Sequence, residues 1–532
     1  MNVTLVQRIA IGLALLAVAF STESLLGQES TSREQGRSAV LATPVEFGLS
    51  DADDAVWDAP SLASTKLTGD PSQTPAPVPD VSPSPCVTCP SPKAKAFDKK
   101  VSGAYSGLFY NNKFDYLYDS SYADWHLGES MKRLDAGERV TYDLGGQFRA
   151  RQHAERNMRG LGLTGRDDDF LLYRTRLYSN VQVGKRFRAY AEMIDANSEY
   201  ENFLPRPIEV NRMDMLNLFG DFMLLDADRG QLWGRVGRQE LLYGDQRTIS
   251  PLDWANTRRT FDGAKLFWKG KNWDIDTFYV RPVIPNATHF DNPNYDREFM
   301  GFYATYKKLK NSKLDLYYLA YNNNADRVST FNYDTVGARI KGGKGAWLWD
   351  LEGAYQGGNF NDANHDAGFY TLGAGRKFQC MMWKPTLWAY YDWASGDDII
   401  GNGYDHMFPL SHKYMGFMDL FGRRNLKDMN LLLTMNPHQR VKFLMWYHIF
   451  HLQNMNDVPY SVAMTPFNPG NLPGASDLGQ ELDTVVSLTV SPRMNLLFGY
   501  SQFFAGDYYA TTPGVPYNGD ASFFYTQFTV DF

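Results

Sequence analysis

Two neighbouring stretches of this chain carry arginines at alternate positions. In 142–153, Asp143, Gln147, Arg149, Arg151 and His153 share one parity, and Tyr142, Leu144, Gly146, Phe148 and Ala150 share the other. In the next, Arg174, Arg176, Tyr178, Asn180 and Gln182 alternate with Tyr173, Thr175, Leu177, Ser179 and Val181. A third stretch, 187–193, adds Arg188, Tyr190 and Glu192 to the polar side. Period two is the spacing of a β-strand, so the arginines of each stretch share a face and adjacent strands place four guanidinium groups on one wall. Guanidinium forks match carboxylate and sulfate oxygens, and a ring of arginine or lysine in a pore selects anions. The alternative is that these arginines pair with acids such as Glu192, Asp221, Glu481 and Asp483 and only stiffen the wall.

Other chemistries lack a pattern. No Ser/His/Asp context such as G-x-S-x-G occurs, no pair of carboxylates is singled out as acid and base, and the histidines show no metal-ligand spacing. The expectation is a protein that is not an enzyme and holds neither cofactor nor metal. Cys86 and Cys89 form a C-x-x-C inside a proline-rich stretch without a second ligand pair, which reads as a linker disulfide; Cys380 stands alone. A net charge of −7 does not suggest nucleic-acid binding.

The elements that must position the arginines follow from texture along the chain. Arg8, an apolar run over 9–20 and small polar residues near Gly27 make residues 1–27 a signal peptide. Residues 28–97 are rich in Pro, Ser, Ala and Thr and have too few large apolar side chains to offset ordering entropy, so a disordered segment is expected. From 98 to 532 short alternating runs separated by Gly, Asn, Asp and Pro continue without helical periodicity; in one, Trp347, Trp349, Leu351 and Tyr355 oppose Asp350, Glu352 and Gln356. A soluble sandwich shows the same alternation. Over more than 400 residues, however, an open sheet would leave edges that closure removes, and aromatics at 15% suit the girdles of a membrane barrel.

The last strand is the strongest sign. Phe524, Thr526, Phe528, Val530 and Phe532 lie on one face, and Tyr525, Gln527, Thr529 and Asp531 on the other. A terminal Phe on such a strand resembles the signal by which barrel-assembly machinery recognises outer-membrane proteins. The expected class is all-β, a transmembrane antiparallel β-barrel in the cell outer membrane, in contact with its lipid. Parity sends the arginines into a watered lumen, because on the lipid face at mid-bilayer each would cost about 2–4 kcal/mol.

The middle of the chain carries longer motifs: G-R-Q-E-L-L-Y-G-D-Q-R at 237–247, R-R-T-F-D-G-A-K-L at 258–266 and A-S-G-D at 394–397. H-K-Y-M-G-F-M-D-L-F-G-R-R-N-L at 412–426, W-Y-H-I-F-H at 446–451, L-G-Q-E-L-D at 478–483 and F-F-A-G-D at 503–507 follow. In this order they resemble the alginate export family of outer-membrane porins. The resemblance implies a monomeric barrel of about 18 strands with an arginine-lined constriction that passes an anionic polysaccharide outwards, with periplasmic export partners behind it. Carried over by motif, Arg238 is the constriction residue. Arg259 follows, because it shares parity with Lys265. Glu481 and Asp483 read as luminal acids. Strict alternation after Leu232, Gly234 and Val236 would send Arg238 outward, and a β-bulge near Gly237 would restore it. The alternative function is a general porin for small anionic or neutral solutes, with family membership reporting only the fold.

Overall fold

The computed structural model describes residues 100–325 and 329–532. The expected signal peptide, the Pro/Ser-rich segment, Cys86 and Cys89 lie outside these residues; Cys380 is free and exposed. Eighteen long strands form one antiparallel sheet. They are β1 (Val140–Arg156), β2 (Asp168–Val183), β3 (Phe187–Glu199), β4 (Asn211–Ala227), β5 (Gly230–Gln239), β6 (Phe261–Gly270), β7 (Trp273–Ile284), β8 (Arg297–Tyr306) and β9 (Ser312–Asn323). Then follow β10 (Phe331–Lys344), β11 (Trp347–Phe360), β12 (Ala363–Lys377), β13 (Thr386–Ala394), β14 (Leu426–His438), β15 (Val441–Leu452), β16 (Asp477–Ser491), β17 (Met494–Ala505) and β18 (Ala521–Asp531). Each pairs with its sequence neighbour, and β18 returns to β1, with Arg149 opposite Thr529 and Arg151 opposite Gln527. The sheet is therefore closed and has no free edge, as the alternation requires.

Parity holds around the wall. Leu144, Phe148 and Leu177 are exposed on the outside, while Arg149, Arg151, Arg174 and Arg176 are buried inside. On β11, Trp347, Leu351 and Tyr355 are exposed and Asp350, Glu352 and Gln356 are buried. On β18, Phe524 is 43% exposed and Tyr525 not at all. One end of the barrel has short turns such as 228–229 and 345–346, together with Phe532; the other has long connections such as 240–260, 395–425 and 453–476. In bacterial outer-membrane barrels the short turns are periplasmic.

Among the described residues, three non-strand segments occupy the interior, which is where the polar and aromatic core sits. Residues 100–133, built of irregular turns and the 3-10 helices Phe109–Asn111, Asp115–Tyr118 and Glu129–Met131, fill the short-turn mouth. The connections 240–260 and 395–425 fold inward from the long-loop end, and most of their residues, among them 402–418, are buried.

Candidate functional site

The two infolded connections meet inside the barrel. The Ser250 N–H donates to the Phe408 carbonyl at 2.8 Å, the Phe408 N–H to Thr248 at 3.0 Å and the Leu410 N–H to Gln246 at 2.9 Å. Trp254 stacks on His412 at 3.5 Å between centroids. A bridge of this kind satisfies backbone groups that no strand supplies.

The arginine wall holds the first connection by its carbonyl oxygens. Arg149 donates to the carbonyls of Asp253 at 2.7 Å and Ala255 at 3.1 Å. Arg174 reaches the Ala255 carbonyl at 3.2 Å and the Asp253 carboxylate at 2.9 Å. Arg151 donates to the Trp254 carbonyl at 2.9 Å and to Gln527 at 2.8 Å, and its guanidinium lies 3.7 Å from a Trp254 ring centroid. Arg176 pairs with Glu192 at 2.6 Å. Arg258, from the connection itself, adds ion pairs to Glu240 at 2.5 Å and to Asp253. Burial alone would raise the Asp253 carboxyl; Arg258, Arg174 and Arg149 outweigh it and hold the group well below the usual carboxylate range.

The opposite wall holds the second connection by its amides. Glu481 and Asp483 on β16 point inward, fully buried, as expected. They accept from the Met418 N–H at 2.8 Å and the Phe417 N–H at 3.3 Å, and therefore act as loop anchors. Gly416 makes the approach possible: it has φ +83°, and a Cβ there would stand 2.5 Å from Glu481 Oε1. Gly416→Val should therefore loosen this connection at a cost of about 1–3 kcal/mol. Faster cleavage of the 395–425 connection by externally added protease, with the barrel's melting unchanged, is the expected readout.

The sequence-based site residues divide as follows. Arg149, Arg151, Arg174, Arg176, Arg188, Lys265 and Glu192 are luminal. Arg188 and Arg235 share Asp221, and Lys265 pairs with Asp276 at 3.2 Å. Pairing with luminal acids thus accounts for some of these cations but not for Arg149 or Arg151, which reach carbonyl and amide oxygens.

Arg238 is a correction. It faces outward with Val236, which is 60% exposed, and pairs with Asp262 at 2.8 Å. The β5–β6 register passes through Gly237 without a shift, so no bulge turns Arg238 inward. The same alternation sends Arg235 inward, and it was legible from Leu232, Gly234 and Val236.

Arg259 is luminal, but by another route. β6 begins only at Phe261, so no strand parity selects between Arg258 and Arg259, and both lie in the infolded connection. Arg259 donates to the carbonyls of Ser250 and Pro409 at 3.3 and 3.2 Å, and burial lowers it to about 10. Arg423 and Arg424 lie in the second connection, paired with Asp392 and Asp405 at 2.8 Å each. Residues missed from the sequence include Arg247, which pairs with Asp350 and Glu352, and Arg339, which meets Asp245 and Asp350. Among the described residues no cluster of His, Cys, Asp and Glu could hold a metal ion.

A closed antiparallel barrel with an apolar outer wall, girdled by exposed aromatics and enclosing charged side chains, is an outer-membrane channel. The alginate export family profile matches residues 140–519, and the chain belongs to that family. Among solved structures it is similar to Acinetobacter baumannii OccAB1, at 11% identity over 74% of this chain and 96% of that chain, with a TM-score of 0.51. Pseudomonas aeruginosa OccK9 (OpdG) gives 12% identity over 73% and 99%, with a TM-score of 0.49. The first likeness supports the barrel fold alone. No curated protein sequence matches the chain.

Proposed function

We propose that the barrel is a passive channel for an anionic polysaccharide or its fragments, a uronate-type polymer of the kind the family's name implies. The observation that carries this reading is the charge balance at the first infolded connection. Arg149, Arg151, Arg174, Arg176 and Arg258 converge there on the acids Asp253, Glu192 and Glu240. Arg149 Nε, Arg151 Nη2 and Arg174 Nε are buried without a hydrogen-bond partner. Donors held in place but unsatisfied are suited to carboxylate oxygens that reach them when the connection covering them moves aside. The closed sheet fits a monomer, and the Phe532 strand fits handling by barrel-assembly machinery. Periplasmic export partners belong to the same reading.

The meeting of the two connections across the lumen favours one alternative, a pore for small anionic or neutral solutes. Planar-bilayer recordings separate the two. The pore should prefer anions in a salt gradient and be blocked by oligogalacturonate, and Arg151→Gln should weaken that block roughly tenfold, the worth of one hydrogen bond to a charged group. Arg151 suits the test because among the described residues it pairs with no carboxylate and reaches only Gln527 and the Trp254 carbonyl, so its loss strands no acid there. A cation-preferring pore indifferent to oligogalacturonate would sink the polysaccharide reading.

A further inference from the structure

The stretch 101–110 of the mouth segment is held by arginines through groups that carry no formal charge, while Glu129 further along the segment pairs with Arg493 at 3.6 Å. Arg258 donates to the Gly107 carbonyl at 3.1 Å, Arg188 to the Tyr110 carbonyl at 2.6 Å and Arg493 to the Val101 carbonyl at 2.8 Å. The guanidinium of Arg176 lies 3.9 Å from the Phe109 ring centroid, and that of Arg235 lies 4.4 Å from the Tyr110 ring centroid. Five arginines from β2, β3, β5, the 240–260 connection and the β16–β17 turn thus converge on one short stretch. Each also holds an acid: Arg176 pairs with Glu192, Arg258 with Glu240 and Asp253, and Arg493 with Glu129, while Arg188 and Arg235 divide the single carboxylate of Asp221.

We propose that these arginines form a second binding site for carboxylated sugar chains, at the short-turn mouth, and that residues 101–110 occupy it as an internal stand-in. The ligand's carboxylates replace the carbonyl oxygens, and its ring faces replace Phe109 and Tyr110. The arginine–carbonyl bonds are already charge-assisted through their donor, but a carboxylate adds the opposite charge and can take both arms of a guanidinium fork, so a polyanion competes well for the same donors. Opposing it is the apolar cluster of Leu108, Phe109 and Tyr110 with Tyr178, Tyr190 and Phe219, which keeps the mouth covered when no polymer is present. Because Arg258 also holds Asp253 and Glu240, and Tyr110 Oη donates to the Glu240 carbonyl at 2.9 Å, displacement of this segment loosens the inner connection as well.

This proposal rests on the anionic-polymer reading, and its test is chosen to fail separately. In the full chain with its three cysteines replaced by serine, Leu108→Cys places a thiol in the buried cluster. Oligogalacturonate on the short-turn side should speed its labelling by a soluble maleimide several-fold, and neutral dextran of equal length should not. Phe109→Ala with Tyr110→Ala should tighten oligogalacturonate block from that side at least tenfold, and adding Arg188→Gln should abolish the gain while ion selectivity stays anionic. Unchanged labelling, or an equal response to dextran, overturns the proposal. If the wild-type pore is anion-selective and is blocked only from the long-loop side, the second site fails while the channel reading stands. A cation-selective wild type would overturn both.

Discussion

Replacing residues 251–256 with two glycines should raise single-channel conductance several-fold and shift ion selectivity further towards anions. The replaced residues include Asp253, Trp254, Ala255 and Asn256, whose carbonyl, carboxylate and amide oxygens now take up the donors of Arg149, Arg151 and Arg174. Cutting them out does two separable things. It removes the mass that spans the lumen beside β1 and β2, which enlarges the bore. It also deletes one acid and uncovers three guanidinium groups, which water then solvates. A wet ring of fixed cations is the arrangement that favours anions in a pore. The two readouts test different claims: conductance reports the geometry, and the reversal potential in a salt gradient reports the charge. Larger conductance with unchanged selectivity would mean that the wall arginines serve only to hold the connection. The variant keeps Arg247 and Arg258, so Asp350, Glu352 and Glu240 retain their partners, and heat-modifiable migration on a gel would show that the barrel has closed.

The division between what the sequence discloses and what it hides has a physical cause. Where lipid lies on one side and the interior on the other, every second residue is forced to declare itself. Arg149, Arg151, Arg174, Arg176, Glu481 and Asp483 are therefore assigned correctly by parity alone. Arg238 obeys the same rule: it follows Leu232, Gly234 and Val236 outward, against the position its motif implies. Connections that fold into the lumen have no period to read. The burial of 240–260 and 395–425 depends on partners more than a hundred residues away, such as Arg259 with Pro409 or Arg247 with Asp350. The mouth segment left a faint trace, a run of aromatics at Tyr105, Phe109, Tyr110, Phe114 and Tyr116 that does not alternate. Inside an expected barrel of 98–532 that run looks like one more strand.

The docking of the 395–425 connection should strengthen as pH rises from 7 to about 10, and Lys413→Met should flatten the dependence. Lys413 is buried in the 3-10 helix Ser411–Lys413, and desolvation lowers its ammonium from the ordinary 10.5 to about 7. The small cavity beside it is lined by Asp245, Arg247, Lys341, Asp350 and Asp392, and the Lys413 ammonium lies 5.4 Å from the Tyr414 ring centroid. Below pH 7 the side chain is protonated whether the connection is docked or released, and the docked state carries the desolvation cost of the buried ammonium. Between 7 and 10.5 only the released state holds the proton, so each increment of pH favours docking. Over the whole window the gain is on the order of a few kcal/mol, enough to move the released population by orders of magnitude. His406 in the same connection is lowered by burial and by Arg423 and Arg424, and gives a slope of the same sign confined to pH below its ordinary 6.5. Channel openings should therefore be most frequent in acid and grow rarer through the neutral and alkaline range. Lys413→Met should abolish the change above pH 7 and leave only the His406 slope beneath 6.5. A wild-type open probability that is flat between pH 7 and 10, or that rises, would show that this lysine does not bear on the gate.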